Sequence, residues 1–562
     1  MKKYSLRLTL IALLAITFSG CDNFFNPDTD VTLDSGDYIQ EENEMYAGFL
    51  GIATKMQQIG DKVIYLTDTR AEMLEPTLAA PGELFELYNY NEDLSGNYYA
   101  DPAGYYDVII ACNDYMHKLK AYKDKYSYSI NMEHYDQLIG GTLRIKAWIY
   151  FTLGKIYGEA LWFDDPMTEK QDISNFPVKN LDEIIVACKE LLAVGFDGVS
   201  HKTKNLSFTP NGVEDKTGFW VRYVTQGTYT GEERTNTYWT WNVMAPEYFA
   251  LWAELCLWSG DYQEVVDAIL PMMNIRMRHE NNSGGNVDVR WLQGSKLAGD
   301  GNLFNKASLF YYATVSAITY SYMYDQTNSI VKHFNPNESL LAPSVAGMTR
   351  FIDIDFNHWP ALTPNDPRLG GNHSTYSPQP YDPIRPDRKH YINKYMRSGN
   401  AASQPDIYIY IYRDADLYFM LSEAMNHLGR YAVSSALINN GYSGNPNLDW
   451  TGFDPAIWGG AASSSGGDKG IRGKWRTGNR PFQTGEFNDV NTKFNDLAIL
   501  DEMMLEFSCE GRTLPAMIRM ARRYDNDTII ADRVCPKYPE GQAETIRQRI
   551  HNGGYFIKWQ LK

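Results

Sequence analysis

The spacing of apolar side chains predicts helices over much of this chain. Residues 37–59 place Tyr38, Met45, Phe49, Ile52 and Met56 at intervals close to three, four and seven, which is the period of one helix face. The same period recurs through 105–119 and through 134–157. We therefore expect amphipathic helices that bury their apolar faces against one another.

A short motif within 134–157 indicates how these helices pair. Tyr150, Leu153, Gly154 and Tyr157 match the W-x2-L-G-x2-Y spacing of the first helix of a tetratricopeptide repeat, with tyrosine in place of tryptophan. Because Gly154 lacks a side chain, it would let a paired helix approach closely.

Two later stretches have the pattern of a turn between paired helices. Gly260 precedes Tyr262, and Gly429 precedes Tyr431, each between two amphipathic segments. A further helical block covers 495–524. The pattern predicts a mainly α fold with about four tetratricopeptide-like helix pairs. Because long segments separate these pairs along the chain, they must stack through tertiary contacts.

Other segments lack a helical period and are rich in turn formers. We expect one domain over 37–562, with a helical scaffold near 37–60, 105–195, 243–275, 412–440 and 495–525. The loop-rich remainder covers 61–104, 200–242, 280–411 and 441–494, with short β-strands such as Ile407 to Tyr412. Long loops in compact proteins are commonly functional, so the ligand-binding surface is expected there.

The N-terminus has the pattern of a lipoprotein signal. An apolar run from Leu8 to Phe18 follows three positive residues, Lys2, Lys3 and Arg7, and small residues precede Cys21. The run is shorter than the roughly 20 residues of a membrane-spanning helix. We predict a signal peptide at 1–20, lipid attachment at Cys21, and a lipidated tether at 21–36 that anchors the chain to a membrane.

Composition excludes several classes of function. A net charge of -17 disfavours binding to nucleic acid. The cysteines after Cys21 form no C-x-x-C pair, so we expect buried thiols rather than a disulfide framework or a zinc site. The histidines form no H-E-x-x-H motif, and the chain has no G-x-S-x-G elbow. We therefore expect no metal, no cofactor and no enzymatic activity.

Aromatic residues form 14% of the chain, including 40 tyrosines and 13 tryptophans. Sugar rings stack on tyrosine and tryptophan, while their hydroxyls bond to carboxylates and guanidinium groups. The candidate ligand-binding residues lie in the loop-rich segments: Asp68, Arg70, Tyr88, Tyr90, Tyr98, Tyr99, Trp291, Tyr322, Tyr324 and Trp359. The alternative is that most of these side chains fill junctions between helices and loops.

Charged residues near the helices allow a second interpretation. Asp416 and Glu423 could be taken for the carboxylate pair of a glycoside hydrolase, which needs about 5 to 9 Å between the two groups. We expect instead that such charges are solvated or ion-paired. Similarly, Asp366 and Arg368 flank a proline, and we expect them to pin a loop.

Taken together, six motifs in order resemble the SusD/RagB family of outer-membrane nutrient-binding lipoproteins, over nearly the whole chain. The motifs are the Cys21 lipobox followed by Asp22 to Phe25; Tyr106 to Asn113; Leu143 to Phe151; Ala342 to Ser344 with Asn365 to Arg368; Arg413 to Asp416 with Ser422 to Ala424; and Ile499 to Glu502 with Glu510 to Arg512. The chain departs from the family pattern at Asp414, at Met503 and in its tail from Tyr555 to Lys562.

The resemblance implies a helical scaffold whose loop-rich half carries the ligand. It implies a non-catalytic lipoprotein of the outer membrane that faces the cell exterior and captures oligosaccharide or polysaccharide. The partner would be a SusC-like TonB-dependent transporter. Two alternatives stay open: a member of the same family that binds peptides, and a structural adaptor with no small-molecule ligand.

Overall fold

The computed structural model describes most of the helical part of the chain. The described residues are 39–128, 130, 132–167, 173–194, 206–209, 212–215, 244–270, 273, 316–321, 340–348, 376–380, 390–392, 406–439, 451–453, 470–471, 487 and 490–559. The predicted signal peptide, the Cys21 lipidation site, the tether and the Asp366–Arg368 pair lie outside them.

The architecture is mainly helical, as the apolar period predicts. The N-terminal half contains α1 Glu42–Gln57, α2 Gly60–Asp68, α3 Gly82–Tyr88, α4 Ala103–Lys125, α5 Met132–Tyr157, α6 Leu181–Val194 and α7 Tyr248–Ser259. It is followed by α8 at 262–270, α9 Asp414–His427, α10 Tyr431–Ile438, α11 Thr492–Phe507, α12 Thr513–Arg523, α13 Thr528–Val534 and α14 Glu540–Arg549.

Four successive helix pairs form the scaffold within the described part of the chain: α5 packs on α6, α9 on α10 and α11 on α12, and the turn at Gly260 joins α7 to α8. Helix α6 packs on α7, α7 packs on α9, and α9 packs on α11. The pairs therefore stack in their order along the sequence. Because each pair covers an apolar face of the next, the stack has a continuous core, as in repeat proteins.

Gly154 allows the first pair to pack closely. A Cβ atom at this position would lie 2.8 Å from Cδ1 of Leu181 and 3.2 Å from Cδ1 of Ile184, both on α6. Real Cβ atoms essentially never approach another atom as closely as 2.8 Å, and a 3.2 Å contact is tighter than most. The close approach predicted from the tetratricopeptide spacing is therefore present.

The predicted turns at Gly260 and Gly429 are also present. Gly260 ends α7 with a φ of +81°, and Gly429 follows α9 with a φ of +76°. Only glycine adopts this left-handed conformation without steric cost, so it commonly ends a helix.

The described strands form two-stranded antiparallel sheets. They are β1 Leu74–Pro76 with β7 Leu341–Pro343, β2 Glu159–Leu161 with β3 Val178–Asn180, β4 Leu206–Thr209 with β5 Gly212–Asp215, β6 Ser316–Ser321 with β10 Asp406–Tyr412, and β8 Tyr376–Pro380 with β9 His390–Ile392. Strand β10 contains the predicted strand Ile407 to Tyr412. The sheet β1–β7 joins residues more than 260 positions apart, Glu75 lying opposite Ala342.

Two segments contain helices that the sequence pattern does not predict. The segment 61–104, expected to be loop-rich, contains most of α2, strand β1 and all of α3. Beyond residue 525, where the predicted scaffold ends, α13 and α14 follow. Helix α2 is buried nearly all round, so its apolar residues show no single stripe. Helix α14 is mostly polar and buries only Ile546.

The cysteine side chains lie in the interior of the protein. The five cysteines after the lipobox, Cys112, Cys188, Cys256, Cys509 and Cys535, are all buried, as expected. Among the described residues, no helix combines the length and the apolar character that crossing a membrane requires.

Candidate functional site

Six of the ten candidate ligand-binding residues lie in the described segment that runs from the end of α2 to the start of α4. These are Asp68, Arg70, Tyr88, Tyr90, Tyr98 and Tyr99. The other four, Trp291, Tyr322, Tyr324 and Trp359, lie outside the described residues. The structure buries or half-buries five of the six in separate contacts and leaves Tyr98 exposed.

Asp68 links two helices. Its side chain is fully buried, and its carboxylate accepts hydrogen bonds from the backbone N–H of Gly511, at 3.0 Å, and from the hydroxyl of Thr513, at 2.7 Å. It therefore joins the end of α2 to the start of α12. In this position it offers no oxygen to a ligand in solution, which favours the structural alternative over the predicted ligand contact.

Arg70 and Tyr90 form a second buried contact. The guanidinium carbon of Arg70 lies 4.7 Å from the centre of the Tyr90 ring, which is a cation–π distance. Nη2 of Arg70 donates to the carbonyl of Gly554, and the Tyr90 hydroxyl donates to the carbonyl of Arg70. Burial raises the pKa of the Tyr90 hydroxyl well above its ordinary range. Both side chains are buried, so neither presents a face to a sugar.

Tyr88 packs against the C-terminal segment through Lys537 and Tyr538. The Tyr88 and Tyr538 rings lie 4.6 Å apart, and the Tyr538 hydroxyl donates to the Tyr88 carbonyl at 2.5 Å. The Lys537 ammonium lies 4.6 Å from the Tyr88 ring centre. It donates to the carbonyls of Thr69, Ala71 and Leu74 at 2.7, 2.5 and 3.2 Å. Burial lowers the pKa of Lys537 to about 7.

Tyr98 is the exposed member of the six. It is 65% exposed, whereas its neighbour Tyr99 is 7% exposed and packs edge-on against Tyr65 at 5.1 Å. The Lys62 ammonium lies 4.4 Å from the Tyr98 ring centre and donates to the Tyr98 carbonyl at 3.2 Å. The outer face of the Tyr98 ring is therefore open to solvent.

Two carboxylates, those of Asp61 and Asp101, lie near enough to this exposed ring to affect its hydroxyl. Partial burial raises the pKa of the Tyr98 hydroxyl, and the negative charges of Asp61 and Asp101 raise it further. Burial also raises the pKa of Asp61 to about 6. An exposed aromatic face beside two carboxylates can bind a polyhydroxylated ligand, because carboxylates accept hydrogen bonds from hydroxyl groups.

A cavity lies where the C-terminal segment crosses the end of α5. Its volume is about 520 Å³, and its aromatic walls are Tyr106, Tyr157, Phe556 and Trp559. Glu159, Asn552 and Lys558 supply polar groups to the same cavity. Ligand pockets typically measure about 300 to 1,000 Å³ and combine apolar walls with a few polar groups. This cavity therefore has the size and lining of a small-molecule site.

Hydrogen bonds hold the walls of this cavity in place. The Tyr106 hydroxyl accepts from the backbone N–H of Leu161 at 2.9 Å, and the Tyr157 hydroxyl donates to the carbonyl of Ala100 at 2.9 Å. Gly158, with a φ of +80°, lies against the Phe556 ring, where a Cβ would come within 3.0 Å. The backbone N–H of Ile557 donates to the carbonyl of Ile156 at 2.9 Å, so the tail is fixed to α5.

The sequence pattern does not mark these cavity residues as ligand contacts. Tyr157 belongs to the helix-pair motif, and Phe556 and Trp559 belong to the tail that departs from the family pattern. One signal could have found them: two ring-bearing residues, Tyr555 and Phe556, directly follow Gly553-Gly554, and Trp559 comes three residues later.

The acidic residues considered for glycoside hydrolysis lie in buried ion pairs. Glu423 accepts from Arg519 and Arg523, and Asp416 lies 2.5 Å from Nε of Arg512. Arg413 donates to both Glu506 and Glu510 at 2.8 Å. These charges are therefore ion-paired, as expected. The family-like motifs that contain them hold neighbouring helices of the stack together. The described residues contain no cluster of three or more potential metal ligands.

Comparison with solved structures identifies the fold. A SusD superfamily protein from Bacteroides thetaiotaomicron aligns with a TM-score of 0.54 at 13% identity, over 92% of this chain and 95% of its own. A SusD homolog from the same organism gives 0.53 at 11% identity, over 96% and 99%. A SusD superfamily protein from Bacteroides vulgatus gives 0.51 at 12% identity, over 90% and 92%.

At the level of sequence, no protein-family model and no curated protein matches this chain. The structural likeness therefore confirms at the level of the fold the resemblance that the six motifs indicate.

Proposed function

Starting from the SusD superfamily fold of this chain, we propose that the protein is a non-catalytic binding protein of the cell surface that captures oligosaccharide. The observation that carries the proposal is the 520 Å³ cavity with four aromatic side chains in its walls. Apolar faces of sugar rings stack on such side chains, and Glu159, Asn552 and Lys558 can bond to hydroxyl groups. The exposed face of Tyr98 would be a second contact for the ligand.

The proposal includes a membrane anchor and a transporter partner. Cys21, preceded by small residues and followed by a tether, would carry the lipid that holds the chain on the outer membrane. The partner would be a SusC-like TonB-dependent transporter, over which this protein would act as a mobile lid. Replacement of Cys21 by serine is expected to release the protein from the membrane fraction and to abolish labelling by a palmitate analogue.

Ligand class can be tested on glycan and peptide arrays. The chain lacking residues 1–21 is applied beside two variants, Trp559→Ala and Tyr98→Ala. We expect a glycan signal that falls about tenfold or more in Trp559→Ala, because a stacking aromatic contributes more than its buried area alone. The matched control is Tyr128→Ala, because Tyr128 is fully exposed and lies outside the cavity.

The array also separates the alternatives. Binding to peptides with no loss in the aromatic variants would favour the peptide-binding alternative, since peptides bind through backbone pairing. An array with no ligand, together with co-purification of the transporter, would favour a structural adaptor. Turnover of any glycan by the purified protein would contradict the non-catalytic assignment.

A further inference from the structure

Arg70 combines a buried charge with unmet hydrogen-bonding capacity. Its side chain is 2% exposed, and one nitrogen, Nη2, donates to the Gly554 carbonyl. The other two nitrogens, Nε and Nη1, have no hydrogen-bond partner among the described residues. A buried donor without a partner costs about 1 to 3 kcal/mol, and more when the group is charged.

The same guanidinium lies on the wall of a small cavity. This cavity has a volume of about 30 Å³ and is distinct from the 520 Å³ cavity, although residues 552 and 556–558 line both. Holding one water molecule takes about 10 to 15 Å³ of such space, so the cavity accepts a monatomic ion or very few waters.

The charges on the wall favour an anion. Arg70, Arg549 and Lys558 line the cavity, and Glu92, which is exposed, is the single carboxylate among the lining residues. Arg549 is held in place by hydrogen bonds to the Asn89 carbonyl at 2.6 Å and the Asn91 side chain at 3.2 Å. Lys558 and Glu92 are both exposed, whereas Arg549 is half-buried and Arg70 is buried, so the inner part of the wall carries positive charge without a carboxylate among the lining residues.

We propose that this cavity is a binding site for a small monovalent anion, with chloride as the ion of matching size. The anion would accept hydrogen bonds from Arg70 and balance its buried charge. Because Arg70 also holds Gly554, the ion would stabilise the C-terminal segment that forms one wall of the larger cavity. This inference does not depend on the proposed function.

Bromide serves as the probe, because it replaces chloride and scatters anomalously. Crystals of the protein grown in sodium bromide are expected to show an anomalous peak within about 3.5 Å of Arg70 Nε or Nη1. In solution, thermal unfolding is compared in sodium chloride and in sodium gluconate of equal ionic strength, since gluconate is too large to enter. Chloride at ten times its dissociation constant is expected to lower the unfolded fraction about tenfold.

Variants make the test specific. Lys558→Gln and Arg549→Gln remove positive charge from the wall and are expected to abolish most of the chloride effect. Arg547→Gln is the matched control, because Arg547 lies on the same helix but pairs with Asp532 at the surface. Equal unfolding in both salts with no anomalous peak would show that only water fills the site, which overturns the proposal. An equal loss in Arg547→Gln would overturn it as well, because the effect would then be general surface screening.

Discussion

The guanidinium of Arg519 donates two hydrogen bonds to the carboxylate of Glu423, through Nε at 3.1 Å and Nη2 at 2.6 Å. These residues lie 96 positions apart, on α12 and α9. Nη2 of Arg523 lies 2.6 Å from the same carboxylate, and Glu423 is fully buried. A single carboxylate therefore holds two arginines of α12 against α9, the first helix of the preceding pair.

Glu423→Gln is expected to destabilise the fold by about 3 to 5 kcal/mol at pH 7, because it removes the counter-charge of the buried Arg519 and one of the two carboxylates that pair with Arg523, which keeps Asp496. Chemical denaturation measures the change in the free energy of unfolding. Asp182→Asn is the control: Asp182 pairs with Arg522 at the surface, and its loss is expected to cost less than about 1 kcal/mol.

The ion pairs of Glu423 with Arg519 and Arg523 predict that the stability of the fold depends on pH. Burial alone would raise the pKa of Glu423, but Arg519 and Arg523 outweigh it and lower the pKa from 4.5 to about 2. A folded pKa below the unfolded one adds stability that is complete above about pH 5 and disappears as the pH falls toward 2. The stability difference between wild type and Glu423→Gln should therefore shrink between pH 5 and pH 2. A constant difference over this range would contradict the assignment.

Replacement of glycine by alanine is expected to have opposite effects on stability at Gly51 and at Gly154. Gly51→Ala, on α1 with no atom within 4 Å of the new Cβ, should stabilise the helix by up to about 1 kcal/mol. Gly154→Ala should instead destabilise by about 1 kcal/mol or more, because its Cβ meets Leu181 at 2.8 Å. Denaturation midpoints of the two variants compare these effects directly. Equal stabilisation at both positions would show that the contact between α5 and α6 can yield.

Lys537→Met tests the attachment of the C-terminal segment. The substitution leaves the carbonyls of Thr69, Ala71 and Leu74 without their shared donor, so we expect a loss of about 3 kcal/mol or more. Limited proteolysis should then cut the chain faster near residues 535–559. Lys120→Met, at an exposed ion pair with Asp124, should change stability by less than about 0.5 kcal/mol.

The surface around Tyr98 predicts that ligand affinity depends on pH, given the proposed function. Burial raises the pKa of Asp61 to about 6, so its carboxylate is charged above this pH and becomes protonated below it. Glycan affinity is expected to fall about tenfold between pH 7.5 and pH 5, as a hydrogen bond to a charged acceptor is lost. Asp61→Asn should remove this dependence in isothermal titration. Unchanged affinity of the wild type across this range would place Asp61 outside the binding surface.

The sequence by itself determined the helical scaffold. The apolar period and the glycines that end helices are local signals, because each depends only on residues close to one another along the chain. Helices α1, α4, α5, α7 and α9 to α12 follow the predicted stripes, and Gly260 and Gly429 end helices where expected. Helix α2 was missed because burial on nearly all sides hides its period, and α14 because it is almost entirely polar.

Only the tertiary structure decided which side chains share a surface. Arg70 and Gly554 are 484 positions apart, yet their contact buries a residue that composition assigned to the ligand. The C-terminal segment also brings Phe556 and Trp559 into the wall of the cavity that Tyr106 and Tyr157 line. The physical reason is that exposure and charge pairing depend on the position of the final helices in space, whereas helix formation depends on neighbours along the chain.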